Sequence, residues 1–435
     1  MTNDGVGSSA AGAVAPTFHE MWEELAALGR DPRTGGYHRL SWTPAERACV
    51  VWFQEQAARR GLVLDGDGNG NLVAWWWPDS ASPERGRLDG GVVTGSHLDS
   101  VRGGGAYDGP LGVVSALAAI DVLRASGVRP RRPLGVAVFV EEEGARFGVP
   151  CLGSRLMTGA LTPDEAARLR DATGTSLVDA MRQAGHHAEL GPSLALLRDP
   201  VAFVELHVEQ GRQLADLGAP VGVATSIWPH GRWRFEFTGE ANHAGTTAME
   251  DRHDPMVTYA MTALAANKRA RLLEGRARAT FGRVEVEPNA VNAVPSRVRA
   301  WLDARAADER ILETLVGDIR RQAGERATRD GTRLVVERES WTPAVEFDPT
   351  LRDRLRLVAR VAVAGTGFEA GEVPLLATQA GHDAGILASA GVPTAMLFVR
   401  NPTGVSHAPA EYVDPVDRVA GVGALAAVLA DLLRH

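Results

Sequence analysis

The sequence predicts an α/β fold in which a mostly parallel sheet domain is interrupted by a small inserted domain of ferredoxin-like βαββαβ order. Three observations predict it. Apolar runs at Gly91–Gly95, Leu134–Val140, Val201–Leu206 and Pro393–Val399 are continuous rather than alternating, as parallel strands buried on both faces require. Each run ends in polar residues, the edge at which open α/β sheets bind their ligands. Between about Val221 and Trp341 the pattern changes to alternation, which marks half-exposed strands. At 435 residues the chain exceeds what one ordinary core needs. The expected division is a sheet domain over 17–221 and 342–435, an insertion over 222–341, and a flexible Gly-, Ala- and Ser-rich tail over 1–16.

In chain order, Phe18, Met21, Trp22, Leu25 and Leu28 recur at helical spacing, and Pro44 opens a second helix carrying Val50, Val51, Phe53 and Ala57. The run from Asp65 to Gly70 imitates the start of a calcium loop. Its twelfth position is Trp76 where that loop needs a bidentate Glu, so it reads as a tight turn. A strand through Trp75, Trp76 and Trp77 follows, its indoles packing on both faces, and ends at Pro78. The helix from Leu111 to Leu123 begins with Pro110 and stops before Gly127, giving a crossover between the first two parallel strands.

In the insertion, Arg232–Phe237 is a strand, and Asp254-Pro255 caps a helix carrying Met256, Tyr259, Ala260, Leu264 and Ala265. Strands Ala279–Glu287 and Arg297–Asp303, a helix over Asp308–Ala323 with Ile311, Leu312, Leu315 and Ile319 on one face, and a strand Thr332–Glu337 complete the βαββαβ order. The last helix starts at Asp414-Pro415 and turns Val419, Val422, Leu425 and Leu429 inward.

Composition excludes several classes of partner. The net charge of −8, with Lys and Arg scattered, leaves no electrostatic footprint for nucleic acid or an anionic membrane, and no run of some eighteen apolar residues offers a membrane span. Cys49 and Cys151 lack CxxC spacing and fit a reducing cytoplasm. Small molecules or other protein chains are the expected partners.

The chemistry concentrates at the strand ends. His97, Asp99 and Asp108 follow the first run, Glu141, Glu142 and Glu143 the second, His207, Glu209 and Gln210 the third, and His407 the fourth. Taken singly, each has a structural explanation as a cap or a hydrogen-bonded core residue. Gathered at one edge, ionisable groups on apolar strands need a partner, and a pair of divalent ions supplies it. Asp108 is the candidate bridging carboxylate, Glu142 the candidate general base, and Asp99 the group that orients the His97 ring.

The runs Gly95-Ser96-His97-Leu98-Asp99-Ser100, Asp108-Gly109-Pro110-Leu111-Gly112, Glu142-Glu143-Gly144-Ala145-Arg146-Phe147, Glu205-Leu206-His207-Val208-Glu209-Gln210-Gly211 and Ser406-His407-Ala408-Pro409-Ala410-Glu411 resemble the amidohydrolases of N-carbamoyl-L-amino acids, ureidopropionate and allantoate. These are a branch of the two-metal aminoacylases and carboxypeptidases. The resemblance implies one ion on His97, Asp108 and His207, and another on Asp108, Glu143 and His407. It implies manganese or zinc, with cobalt and nickel also suited to these donors.

The segment Asn242-His243-Ala244-Gly245-Thr246-Thr247 resembles the one whose histidine stabilises the oxyanion. Asn289, Asn292, Arg305 and Gln210 match substrate contacts, with the planar Arg305 fork suited to a carboxylate. Thr378-Gln379-Ala380-Gly381-His382-Asp383 keeps the ending of a family segment but not its start, and makes His382 a candidate substrate contact. Ala248 stands where the family usually has Pro. The resemblance further implies a homodimer formed through the insertion, which lends residues to the neighbouring subunit's site, and a lid that closes on the substrate.

The expected reaction is hydrolysis of a ureido C–N bond in a small carboxylate, with release of ammonia and carbon dioxide. Allantoate and N-carbamoyl-L-amino acids both fit, and the stretch from Ser226 to Gly231 is more similar to allantoate enzymes. The alternative is a metallo-exopeptidase or an N-acyl-amino-acid aminoacylase. His207 argues against it, since the peptidase relatives usually carry a carboxylate there. A binding or assembly protein without activity is the reading from another class, and retention of Glu142 with every expected ligand argues against that.

Overall fold

The computed structural model describes residues 7–78, 90–364 and 372–434. The chain divides into two compact units, Met1–Thr225 with Glu346–His435, and Ser226–Val345.

In the first unit a mixed sheet runs in the order Val63–Gly66, Leu72–Trp76, Leu134–Phe139, Val92–His97, Ala202–Val208, Thr394–Val399, Val221–Ile227. The middle four strands are mutually parallel, and antiparallel strands flank them on both sides. All six residues of Val92–His97, of Leu134–Phe139 and of Thr394–Val399 are buried, which is why those stretches show no alternation. Helix Pro110–Ala125 is buried on nearly every face because it lies between the sheet and its neighbouring helices. Leu111, Val114, Leu117 and Ala118 share one core with Val204, Leu206, Leu397, Val399, Leu425 and Leu429. Each large aliphatic side chain so buried contributes about 1.5–3 kcal/mol.

Two local readings change, and the turn at Asp65 and the tryptophan strand stand as expected. The first helix spans Gly7–Ala26, so most of the stretch expected to be a flexible tail is helical, and residues 1–6 lie outside the described residues. Alanines in this stretch have the highest helix propensity, and the turns at Phe18, Met21, Trp22 and Leu25 are anchored in the core, so the helix propagates backwards from them. In helix Pro44–Arg59 the inward face is Cys49, Trp52, Phe53 and Ala57, while Val51 points outward. The turn after Asp65 is held by Asp67, whose carboxylate accepts N–H bonds from the backbone of Asn69 and Asn71, from both their side-chain amides, and an O–H bond from Ser193. Its lone pairs are engaged by donors, as an Asx-type turn requires. Trp75 is fully buried, Trp77 lies against it, and Trp76 takes the Arg124 guanidinium on its face.

The second unit is an antiparallel sheet in the order Arg333–Thr342, His230–Thr238, Arg297–Ala306, Ala277–Glu287, with helices Pro255–Arg271 and Glu309–Arg329. In chain order that is strand order 4-1-3-2, the split βαβ arrangement. Trp233, Phe235, Phe237, Val298 and Leu302 alternate inward against Ile311, Leu312, Leu315 and Ile319. Asp254 and Asp308 cap the two helices by accepting from the backbone N–H of Met256 and Ile311.

The face of helix Pro255–Arg271 differs from expectation. Thr258, Thr262 and Ala266 are buried, Met256 and Tyr259 are partly buried, and Ala260 and Leu264 face outward. Thr258 is drawn inward because its hydroxyl donates to Asp330. A further ribbon, Asn242–His243 with Ala293–Val294, was not anticipated. Among the described residues no helix is long and apolar enough to cross a membrane.

Candidate active site

The parallel ladder aligns the polar strand ends. His97 pairs in register with Phe139, which precedes the three glutamates, and His207 with Phe398, the strand that leads on to His407. Asp108 lies at the centre. Its Oδ1 is 3.2 Å from His207 Nε2 and 3.6 Å from His97 Nε2, and its Oδ2 is 3.3 Å from His407 Nε2. Glu143 Oε2 is 3.3 Å from the same His407 nitrogen. Two donor sets share Asp108, His97–Asp108–His207 and Asp108–Glu143–His407, and a third, Glu205–His207–His382, shares His207; in each the ligand atoms lie within 4.8 Å of one another. Glu142 stands beside the first set, its Oε2 3.6 Å from His97 Nε2.

These groups fit divalent ions. His97 Nδ1 is 3.2 Å from the Asp99 carbonyl and His207 Nδ1 is 2.9 Å from the Val208 carbonyl; both oxygens only accept, so each Nδ1 carries the proton. In the neutral ring, the form that binds a metal, each Nε2 then presents its lone pair toward Asp108. Both Nε2 atoms are buried without a hydrogen-bond partner, a costly state that metal coordination relieves. Electrostatics agrees. Burial pushes Glu143 up to about 7, with the charge of Asp108 adding to it. Burial also holds Glu142 well above the ordinary carboxylate range, against the pull of His97 and with the push of Asp383 and Glu143. Acids this crowded ionise together only beside compensating positive charge, which divalent ions supply.

Buried carboxylates hold the site loops by one repeated device: each accepts two neighbouring backbone N–H groups. Asp99 takes those of Glu142 and Glu143, Glu141 those of Arg146 and Phe147, Glu209 those of Gln213 and Leu214, and Glu411 those of Tyr107 and Asp108. Asp99 also lies 3.5 Å from His97 Nδ1, so it orients the ring and the glutamate turn together. Glu141, Cys151 and His407 adopt left-handed backbone angles without being glycine, a strain that these clamps sustain.

An aromatic ladder backs the Asp108 loop. Phe18 stacks on Trp22, Trp22 on Tyr107 at 4.6 Å between ring centroids, and Tyr107 meets Tyr412 edge-on, with Arg418 over Trp22 and Tyr107.

Of the expected substrate contacts, Gln210 donates to Asp108 Oδ2 at 2.7 Å, and Ser406 donates to the same oxygen at 3.1 Å. His382 is buried with its ring 4.6 Å from that of His207, and its Nε2 has no hydrogen-bond partner. In the second unit, His243 Nδ1 accepts from the backbone N–H of Gly245 and Thr246, which leaves its proton on Nε2 as a donor. Arg305 is gripped by both carboxylate oxygens of Asp303. Asn289 and Asn292 are exposed, and the Asn292 carbonyl accepts from Ala244 next to His243.

Sequence reasoning gave no role to Cys151, whose thiol lies 3.6 Å from Glu142 Oε1, or to Glu141 and Glu411. An acidic residue near a ligand within a motif was the only available sign.

Residues 93–434 match the family model described as peptidase family M20/M25/M40. The chain is 36% identical over 410 residues to N-carbamoyl-L-amino acid amidohydrolase of Geobacillus stearothermophilus, covering 93% of this chain and 96% of that one. It is 34% identical to allantoate amidohydrolase of Escherichia coli, covering 94% and 95% respectively. Among solved structures, AtUAH in complex with glyoxylate superposes with a TM-score of 0.84 at 30% identity, covering 98% of this chain and all of that one.

Proposed function

The chain belongs to peptidase family M20/M25/M40, and on that footing we propose that it is a metal-dependent amidohydrolase that cleaves the ureido C–N bond of a small carboxylate. The observation that carries this reading is the pair of donor sets sharing Asp108 with Glu142 alongside. Its relatives include amidohydrolases of N-carbamoyl-L-amino acids and of allantoate, which sets the substrate class.

His97, Asp108 and His207 would hold one divalent ion, and Asp108, Glu143 and His407 a second. Bound there, divalent ions would supply Lewis acidity to the scissile carbonyl and to the attacking water. Glu142 takes the proton from that water and returns it to the leaving nitrogen. His243, with its proton on Nε2, donates to the oxygen that becomes negative. Arg305, held flat by Asp303, takes the substrate carboxylate with both arms, and Gln210, Asn289, Asn292 and His382 contact its polar groups. Water attack on R–NH–CO–NH2 yields the amine, ammonia and carbon dioxide.

A homodimer formed through the second unit is part of the proposal. Helix Pro255–Arg271 exposes Val257, Met261 and Leu264, and strand Ala277–Glu287 forms an edge of its sheet.

The test is ammonia release from allantoate, N-carbamoyl-β-alanine, several N-carbamoyl-L-amino acids and a dipeptide, with manganese or zinc added and again with chelator. Ureido substrates are turned over and chelation abolishes it. Turnover of the dipeptide alone favours an exopeptidase, and activity untouched by chelator removes the metal from the reading.

A further inference from the structure

We infer that Glu411 is a positioning residue that sets the bridging carboxylate of Asp108, an inference resting on the metal-ligand reading above. Glu411 Oε1 accepts the backbone N–H of Tyr107 at 2.7 Å and that of Asp108 at 2.9 Å, across some 300 positions of sequence. The side chain is 4% exposed, so these charge-assisted bonds face little competition from water. Asp108 starts the turn into helix Pro110–Ala125, and fixing its own N–H fixes the direction in which its side chain leaves the backbone.

A second observation is independent of the hydrogen bonds. A Cβ at Gly105 would fall 2.5 Å from the Cβ, Cδ and Oε1 of Glu411, so the loop carries no side chain where the carboxylate sits. The loop is therefore shaped to receive Glu411 as well as bonded to it. Glu411 is only four residues beyond His407, so a single segment supplies a ligand of one donor set and the clamp on the residue common to both.

What matters in this role is an acceptor at the right reach. Gln keeps both, Asp is one methylene short, and Ala has neither. The experiment strips the full chain of metal and titrates Zn2+ calorimetrically into the wild type and into Glu411→Gln, Glu411→Asp and Glu411→Ala, with kcat and KM on the best ureido substrate. Glu411→Ala and Glu411→Asp are expected to bind Zn2+ roughly 10–100-fold more weakly, as loss of a group supporting a ligand usually does. Glu411→Gln stays close to wild type, and the losses appear in kcat with little change in KM.

If Glu411→Ala fails to fold, the contrast between Gln and Asp carries the test. Wild-type Zn2+ affinity in both Ala and Asp variants overturns the inference, and so does a Gln variant as weak as Asp. A wild type that binds no Zn2+ overturns the metal-ligand reading itself.

Discussion

At Glu142 the side chain's chemistry and its surroundings make a sharp demand. A proposed base must exchange its proton easily, and burial, with the charges of Asp383, Glu143 and Asp108 beside it, raises the proton affinity of Glu142. Replacing Glu142 by Gln keeps the shape, so metal content measured by mass spectrometry stays near wild type while kcat falls about 10²–10⁴-fold. An active variant removes Glu142 as the base. Arg305→Ala raises KM without loss of metal, and Arg305→Lys does not restore it, because an ammonium lacks the planar fork that Asp303 holds. Normal substrate binding by Arg305→Ala would dismiss the carboxylate contact. That His97, Asp108 and His207 come together was legible because few residue types can ligate a metal and fewer sit at the ends of apolar strands. Glu411 and Cys151 were not, since their partners are backbone N–H groups or side chains chosen by the fold, and sequence distance hides them.

Elements carry a different kind of information. The parallel strands were readable because burial on both faces removes alternation, and the cap at Asp254 because a side-chain oxygen before Pro starts a helix. The inward face of helix Pro255–Arg271 was misread because Thr258 and Thr262 face inward at positions where a hydroxyl signals exposure, and each satisfies its O–H on Asp330 or on the Thr258 carbonyl. Helix Pro44–Arg59 yields a prediction at this scale. Glu46, buried in its first turn, accepts from the Trp42 backbone N–H, and burial pushes its carboxyl up to about 8. The folded chain thus keeps a proton that the unfolded chain gives up at ordinary carboxylate pH. Stability falls as pH rises across that interval, with a slope approaching about 1.4 kcal/mol per unit, and levels off above about pH 8. Glu46→Gln retains the acceptor and removes the titration, so its Tm changes less between about pH 5 and about pH 8 than the wild type's. Equal pH slopes for the two proteins would refute the assignment.

For the whole molecule, the change from continuous to alternating apolar pattern falls near the bounds of the compact unit Ser226–Val345, because parallel and one-sided sheets leave different periodicities. Which loops meet was not legible, since nonlocal pairing is decided by packing. The dimer proposal belongs to this scale. Sedimentation equilibrium of the wild type gives twice the chain mass, and Met261→Glu combined with Leu264→Lys on the exposed helix face shifts it to the monomer. A monomeric wild type ends that proposal. The ladder Phe18–Trp22–Tyr107–Tyr412 has its own reach. Helix ends ordinarily fray at almost no free energy and exchange their amide hydrogens first. Here the second rung, Trp22, rests on the residue before Asp108, so an opening that frees Trp22 also releases the loop behind the Asp108 carboxylate. Amide exchange at Tyr107 and in the turns around Trp22 should then slow together when metal binds, as one cooperative unit spanning the first helix and the centre of the site.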